Sequence, residues 1–395
     1  MPGPAWVLFA GSFVNRLGTF VLPFMTLYLT RIGYSAPQAG VAIASYGLGG
    51  LLAQMGGGLI ADRFGRRNTI ALSMFGAAVV TVALWRAGSL AEIYPLMFVL
   101  AAMAELYRPA SGALIADLVP SVERVTAFTL YRLSVNVGWA CGLAIGGFLI
   151  GRSFAFMFLG DAATSAAFGV IALAALPHGT RTTRKEEAHL TSARRSMLAD
   201  RGLLLFLGAV LVTGCVYSQN VATFPLHITG AGHPPSVFGL LQALNGILVV
   251  LFELPVISVT QRHDRLRVVA LGELLIGLAF CSLLIAESVP ALVAMVVVWS
   301  LGEMIESPMA SAIAADRAPG HARGRYQAAY GSMFGVAWML GPVLGTAVFA
   351  RSQDALWVAC GVLGVAAAAL SLSARRHPAP AADPASAVDA PPRSG

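Results

Sequence analysis

Apolar residues in this chain come in long unbroken blocks, and polar residues cluster in the short gaps between them. The blocks fall near residues 5–30, 38–61, 68–87, 93–116, 126–150 and 154–176. They resume near 203–229, 237–260, 268–286, 290–315, 326–350 and 355–374. A bilayer core about 30 Å thick is crossed by about 20 mostly apolar helical residues. Each block has that length, so the pattern predicts twelve membrane-spanning helices, numbered here as spans 1 to 12. Residues 177–201 form one long charged loop at the middle of the chain. The tail from His377 is rich in proline and alanine and reads as disordered.

Composition agrees with that pattern. The chain has 395 residues, of which 57% are hydrophobic and only 11% charged. A soluble protein carries roughly a quarter of charged residues to keep its surface wet. A soluble enzyme, a disordered chain and a nucleic-acid binder are therefore excluded. The net charge of +7 is carried almost wholly by arginine, and its placement sets an orientation. Of the 26 Lys and Arg, 19 fall in one set of alternate loops and four in the other: Arg31, Arg86, Arg152 and Arg351. Positive loops stay in the cytoplasm, so both termini and the central loop are expected inside, in a multi-pass protein of the cytoplasmic membrane. The start of the chain lacks a basic segment and a small-residue cleavage site, and reads as a retained first span. Cys141, Cys215, Cys281 and Cys360 lie far apart within apolar blocks, where they read as buried small hydrophobes.

The sequence also repeats itself. Shifted by 199 residues, Pro109 meets Pro308, Asp117 meets Asp316, Pro120 meets Pro319 and Arg124 meets Arg323. Tyr131, Trp139, Gly142, Gly146 and Arg152 meet Tyr330, Trp338, Gly341, Gly345 and Arg351. There are 12 identities over residues 109–152, where composition alone would supply roughly 3 or 4. The expected fold is all-α, twelve transmembrane helices arranged as two parallel six-helix pseudo-repeats. Residues 1–176 and 202–376 form the two bundles, 177–201 the linker and 377–395 the tail. Such repeats place a substrate site near the midplane between them.

Between spans 2 and 3, Gly49 is followed after eight residues by Gly58-Leu59-Ile60-Ala61-Asp62-Arg63-Phe64-Gly65-Arg66-Arg67. This run resembles the cytoplasmic-loop motif of the major facilitator superfamily. Asp62 ends span 2, where the helix dipole disfavours an anion, so it needs a nearby arginine or the start of another helix. The resemblance implies a cytoplasmic gate of Gly58, Asp62, Arg63, Gly65, Arg66, Arg67, Asp117 and Arg124. In span 5, Gly138, Gly142, Gly146 and Gly147 resemble the antiporter motif of that family, with Leu143 in place of its proline. Span 11 carries Gly341-Pro342 and Gly345 at the equivalent place. Small residues at this spacing equally serve helix packing. Leu17-Gly18, Pro23 and Leu27-Tyr28-Leu29 resemble the first-helix motif of the drug:proton antiporter branch, whereas Met97 stands where that branch has an arginine. The family fold sets spans 1, 4, 7 and 10 around the cavity and spans 3, 6, 9 and 12 at the periphery.

A charge at the bilayer centre costs at least about 2.5–3.5 kcal/mol, which makes each one a candidate for function. The candidates for proton coupling are Glu303, Glu306, Glu105, Arg16, Arg108 and Arg132. Glu303 and Glu306 carry the sharpest signal: two carboxylates one turn apart, in a low dielectric, favour holding a proton. The competing reading is of structural acids paired with arginine. Glu105 and Arg108, three apart on one helix, can pair with each other, and Arg132 can pair across with one of the cavity acids. Asp161 and Glu273, on peripheral spans, read as structural. Candidates for contact with substrate are Asn15, Tyr131, Asn136, Tyr217, Gln219, Asn220, Gln242, Asn245 and Trp338, the aromatic ones serving equally as packing or belt residues.

No phosphate-binding loop, G-x-S-x-G or H-E-x-x-H is present. The expectation is no enzyme, no metal and no cofactor, with the proton gradient as energy source. The resemblance implies a monomeric multidrug-efflux-type transporter that exchanges a small organic molecule for protons. A sugar or metabolite transporter of the same fold, working by uptake or efflux, is the alternative, with a non-transporting membrane sensor or scaffold behind it.

Overall fold

The computed structural model describes residues 1–178, 200–318 and 323–377. The central loop and the tail expected from the sequence, with Arg181, Arg184, Lys185, Arg194, Arg195 and Arg393, lie outside the described residues. Within them are twelve helices long and apolar enough to cross a membrane. In chain order these are α1 (Gly3–Leu17 and Val21–Arg31), α2 (Ala36–Phe64), α3 (Arg66–Arg86), α4 (Leu90–Leu118), α5 (Arg124–Arg152) and α6 (Ala155–Ala175). The second half holds α7 (Arg201–Tyr217, Gln219–Ala222 and Phe224–Gly230), α8 (Pro235–Thr260), α9 (Arg265–Cys281), α10 (Val289–Asp316), α11 (Arg323–Phe349) and α12 (Gln353–Ala374). The protein is an all-helical, multi-pass membrane protein.

Helix ends follow local chemistry. Ser35 accepts the Gln38 backbone N–H, and the Gln38 side chain accepts the Ser35 N–H at 2.8 Å, a reciprocal cap that starts α2. Asp200 caps α7 and Asp264 caps α9. Gly33 and Gly232, 199 residues apart, both turn the chain with positive φ, 102° and 85°, values a side chain would resist.

The repeat is also visible in two broken helices. α1 breaks at Gly18–Phe20 and α7 at Ser218 and Thr223. Pro23 and Pro225 each lie just beyond a break. Proline has no N–H for the carbonyl four residues earlier and its ring crowds that carbonyl, so the helix yields there. The two halves meet along two seams, α2 on α11 and α5 on α8. Backbones touch at glycines: a methyl group added at Gly40 would lie 2.7 Å from the Pro342 carbonyl oxygen, and one at Gly239 would lie 2.3 Å from that of Leu143. Gly47 meets the Trp338 carbonyl, whose usual helical donor is removed by Pro342. Both seams are tight at the end away from the arginine-rich loops. Nearer those loops, Gly56 and Gly58 on α2 and Gly331 on α11 face open space.

Candidate functional site: a midplane cavity between the halves

Between the seams lies a cavity of about 470 Å³. α1, α2, α4 and α5 contribute Arg16, Tyr46, Glu105, Arg108, Asn136 and Trp139 to its wall. The second half contributes Tyr217, Asn220, Gln242, Asn245, Trp299, Glu303 and Trp338. Ten of the side chains expected from the sequence are thus brought together.

The two walls differ in charge. On the first, Glu105 is buried between two arginines, with Arg108 Nε at 2.7 Å from one oxygen and Arg16 Nη2 at 3.8 Å from the other. Arg16 also donates from Nε to the Tyr107 hydroxyl at 3.2 Å, and its guanidinium lies over that ring. The pairing of Glu105 with Arg108 expected from their spacing is present, and Arg16 joins it from another helix. On the second wall, Glu303 accepts hydrogen bonds from Tyr217 Oη at 3.0 Å and from Asn245 Nδ2 at 2.9 Å. Both donors are neutral, and among the described residues no base pairs with Glu303.

Five candidates lie elsewhere. Glu306 is absent from the cavity wall, and its Cβ packs against Gly272 of α9 instead. Arg132 pairs with none of the cavity acids; its partner is Glu253 across the α5–α8 seam, at 2.5 Å. Asn15 donates to Ser165 at 3.1 Å beside Asp161, in a small pocket at the α1 break. Gln219 donates to the Gly341 and Cys215 carbonyls at 2.9 Å each and so ties the α7 break to α11. Tyr131 packs on Phe9 in the apolar core of the first half. Asp161 accepts the Val21 N–H at 3.3 Å and caps the second piece of α1.

Sequence reasoning missed Tyr46, Gln54, Trp139, Trp299 and Phe334, all in the cavity wall. Trp139 was findable, since it is the repeat partner of Trp338. The others carry no charge and fall within apolar blocks, so only the packing singles them out.

The loop after α2 closes a charge network. Arg66 donates to Asp62 at 3.0 Å and to Asp117 at 2.8 Å, which supplies the compensation that an acid at a helix C-terminus needs. Gly65 turns between α2 and α3 with φ 86°. Arg67 meets His178 at 2.5 Å. Arg124 plays a capping part, donating to the Ala116 and Val119 carbonyls at the end of α4. In the second half Arg265 pairs with Asp316, the repeat of Arg66 with Asp117. The glycines of α5 seat α1: a methyl at Gly142 would lie 2.5 Å from the Leu17 carbonyl oxygen, and Gly138 and Gly146 sit one turn to either side. Gly147 instead faces α8. On α11, Gly341 and Gly345 seat the α7 break against Ser218 and Gln219.

The family model described as the Major Facilitator Superfamily matches residues 8–234 and 220–394. The chain belongs to the major facilitator superfamily. It is a secondary transporter, and the facilitator frame explains both the paired seams and the cavity between them. The chain is 27% identical to the uncharacterized MFS-type transporter YqjV of Bacillus subtilis (strain 168) over 309 residues, covering 76% of this chain and 75% of that protein. It is 27% identical to the multidrug efflux pump Tap of Mycobacterium tuberculosis (strain ATCC 25618 / H37Rv), over 86% of this chain and 85% of that one. A Na(+), Li(+), K(+)/H(+) antiporter of Planococcus maritimus is 25% identical over 84% of this chain and 86% of its own length. Among solved structures, a bacterial homologue of the human lysosomal transporter Spinster, in an inward-facing and unoccupied conformation, superimposes with a TM-score of 0.78. That match has 15% identity and covers 94% of this chain and 96% of that one.

Proposed function

We propose that this facilitator exports a small organic molecule in exchange for protons, with Glu303 carrying the proton. One observation supports the reading above all. Glu303 is an acid in the cavity wall with neutral partners only, while the opposite wall neutralises Glu105 with arginine. A carboxylate held by two neutral donors can exchange its charge for a proton without breaking an ion pair. A similarity to a pump named for multidrug efflux and to a cation/H(+) antiporter agrees with that reading.

The wall chemistry suggests the kind of cargo. Tyr46, Trp139, Trp299 and Trp338 offer aromatic faces, and Asn136, Asn220, Gln242 and Asn245 offer amides. A cavity of about 470 Å³ is within the usual range for small molecules, about 300–1,000 Å³. A lipophilic molecule with a basic centre would place its cation near Glu303 and its rings on the tryptophans. Cargo and proton would then compete for one carboxylate.

In this reading the arginine-rich face is cytoplasmic, both termini lie inside, and the cavity as seen here opens inward. Residues 1–176 and 202–376 would rock about the midplane, opening the seams at one face and closing them at the other. The Asp62–Arg66–Asp117 network would act at the inner gate.

The test is Glu303→Gln, which keeps shape and hydrogen bonding but cannot titrate. In inverted vesicles this variant should still bind and exchange substrate yet fail to accumulate it under an imposed pH gradient. Wild-type accumulation with wild-type pH dependence would overturn the assignment.

A further inference from the structure

Behind the second wall, away from the cavity, α9, α10 and α12 meet on glycine. A methyl group at Gly272 of α9 would lie 2.7 Å from the Glu306 Cβ and 2.8 Å from the Gly302 carbonyl oxygen. A methyl at Gly277 would lie 2.6 Å from the Gly364 Cα on α12. Backbones this close leave no room for water, yet two acids are directed into the junction.

Glu273 of α9 has 0% of its surface exposed, and no basic side chain among the described residues reaches its carboxyl. Glu306 of α10 is 3% exposed, and its Oε1 is without a hydrogen-bond partner. Gly272, next to Glu273, packs on the Glu306 Cβ, so both acids enter the same junction, and the buried Ser371 hydroxyl of α12 is, among the described residues, the one neighbour placed to hydrogen-bond Glu273. Glu303 on α10, Tyr330 on α11 and Tyr217 on α7 are the further titratable groups close enough for their charge to be felt with that of Glu306. Every one of these groups is an acid, a phenol or a hydroxyl. Among the described residues no arginine, lysine or histidine pairs with either acid.

Two neighbouring carboxylates cannot both be ionised in such surroundings, since each loses its hydration and each repels the other. We propose that Glu273 and Glu306 form a carboxyl pair that holds a proton between them, a proton-binding site distinct from Glu303 and outside the cavity. A metal cation fits the junction poorly. Two carboxyls and one hydroxyl are few ligands, and α9 and α10 run through the junction as unbroken helices, without the unwound carbonyls that hold sodium in transporters. The proton leaves the pair with one negative charge, a single turn from Glu303. The site follows from burial and geometry alone, so it stands whether or not Glu303 couples transport.

Infrared difference spectroscopy of the purified transporter in lipid nanodiscs tests the proposal. The wild type at neutral pH should show the carbonyl band of a protonated carboxyl, shifting in deuterium oxide. Measured in the Glu303→Gln background, which removes any carboxyl band of Glu303 itself, the band should persist, and it should disappear when Glu273→Gln/Glu306→Gln is added. Each single variant in that background should move the band, which keeps the test open if the double variant does not fold. Persistence of an unshifted band in the singles or the double, or its absence from the wild type or from Glu303→Gln, would overturn the proposal. So would stabilisation of the wild type by sodium or lithium chloride over choline chloride that the single variants lose, since this marks a metal site.

Discussion

The two walls of the cavity share one ancestor in sequence and differ in charge. Shifted by 199 residues, Arg16 falls on Cys215, Glu105 on Met304 and Arg108 on Ser307. Conversely, Glu303 and Glu306 fall on Ala104 and Tyr107. What survived in both halves is the framework: the helix breaks at Thr19 and Ser218, the turns at Gly33 and Gly232, and the pairs Arg66–Asp117 and Arg265–Asp316. These features set where helices bend and how they meet, and a two-fold arrangement needs them twice. The charges inside the membrane have no such duty and diverged. The first half became a compensated wall, and the second carries acids without bases. Under the proposed exchange the mobile charge sits on the second wall, where the acid in the cavity has no arginine partner to release.

The sharpest way to break this comparison is to make the first wall resemble the second. Arg16→Met leaves the buried Glu105 with the half-exposed Arg108 alone. Removing one partner of a buried pair costs about 3–5 kcal/mol, so thermal unfolding in detergent should occur at markedly lower temperature and transport should be lost. Adding Glu105→Gln should restore much of the stability. If Arg16→Met alone melts like the wild type, the compensation argument is wrong.

Asp62→Asn comes next. It removes the acceptor charge from one side of the Arg66 network while keeping its size. A hydrogen bond to a charged group contributes about 1.5–3 kcal/mol, so the initial transport rate should fall about tenfold or more with the protein still inserted. Unchanged rates in proteoliposomes would remove Asp62 from the gate.

Arg132 and Glu253 should matter less. More than half of the Arg132 side chain is exposed (56%), and exposed pairs contribute about 0.2–1 kcal/mol. A double-mutant cycle with Arg132→Gln and Glu253→Gln should return a coupling in that range. A larger value would mark the α5–α8 seam as a latch. The smallest effect is expected from cutting the chain. Co-expressed fragments 1–190 and 191–395 should dock through the seams and transport, and inserted but inactive fragments would show that the linker does more than tether.

Much of this protein was legible without coordinates. Long apolar blocks can only be satisfied by helices in lipid, where every backbone N–H and C=O must be bonded within the segment. The number of spans, the repeat and the Asp62 loop follow from residue type and spacing. So did the pairing of Glu105 with Arg108, since three residues on a helix are neighbours whatever surrounds them.

Direction around a helix axis was not legible in the same way. Glu303 and Glu306 look equivalent in the sequence, yet one lines the cavity and the other meets Glu273 from a helix expected at the periphery. Gln219 and Trp139 changed places for the same reason: the first became a tie between helices and the second a cavity wall. Local sequence settles where a helix begins, bends and crosses the membrane, because those depend on neighbours within one or two turns. Which face of each helix meets substrate, lipid or another acid depends on how twelve helices pack, and only the tertiary structure decided that.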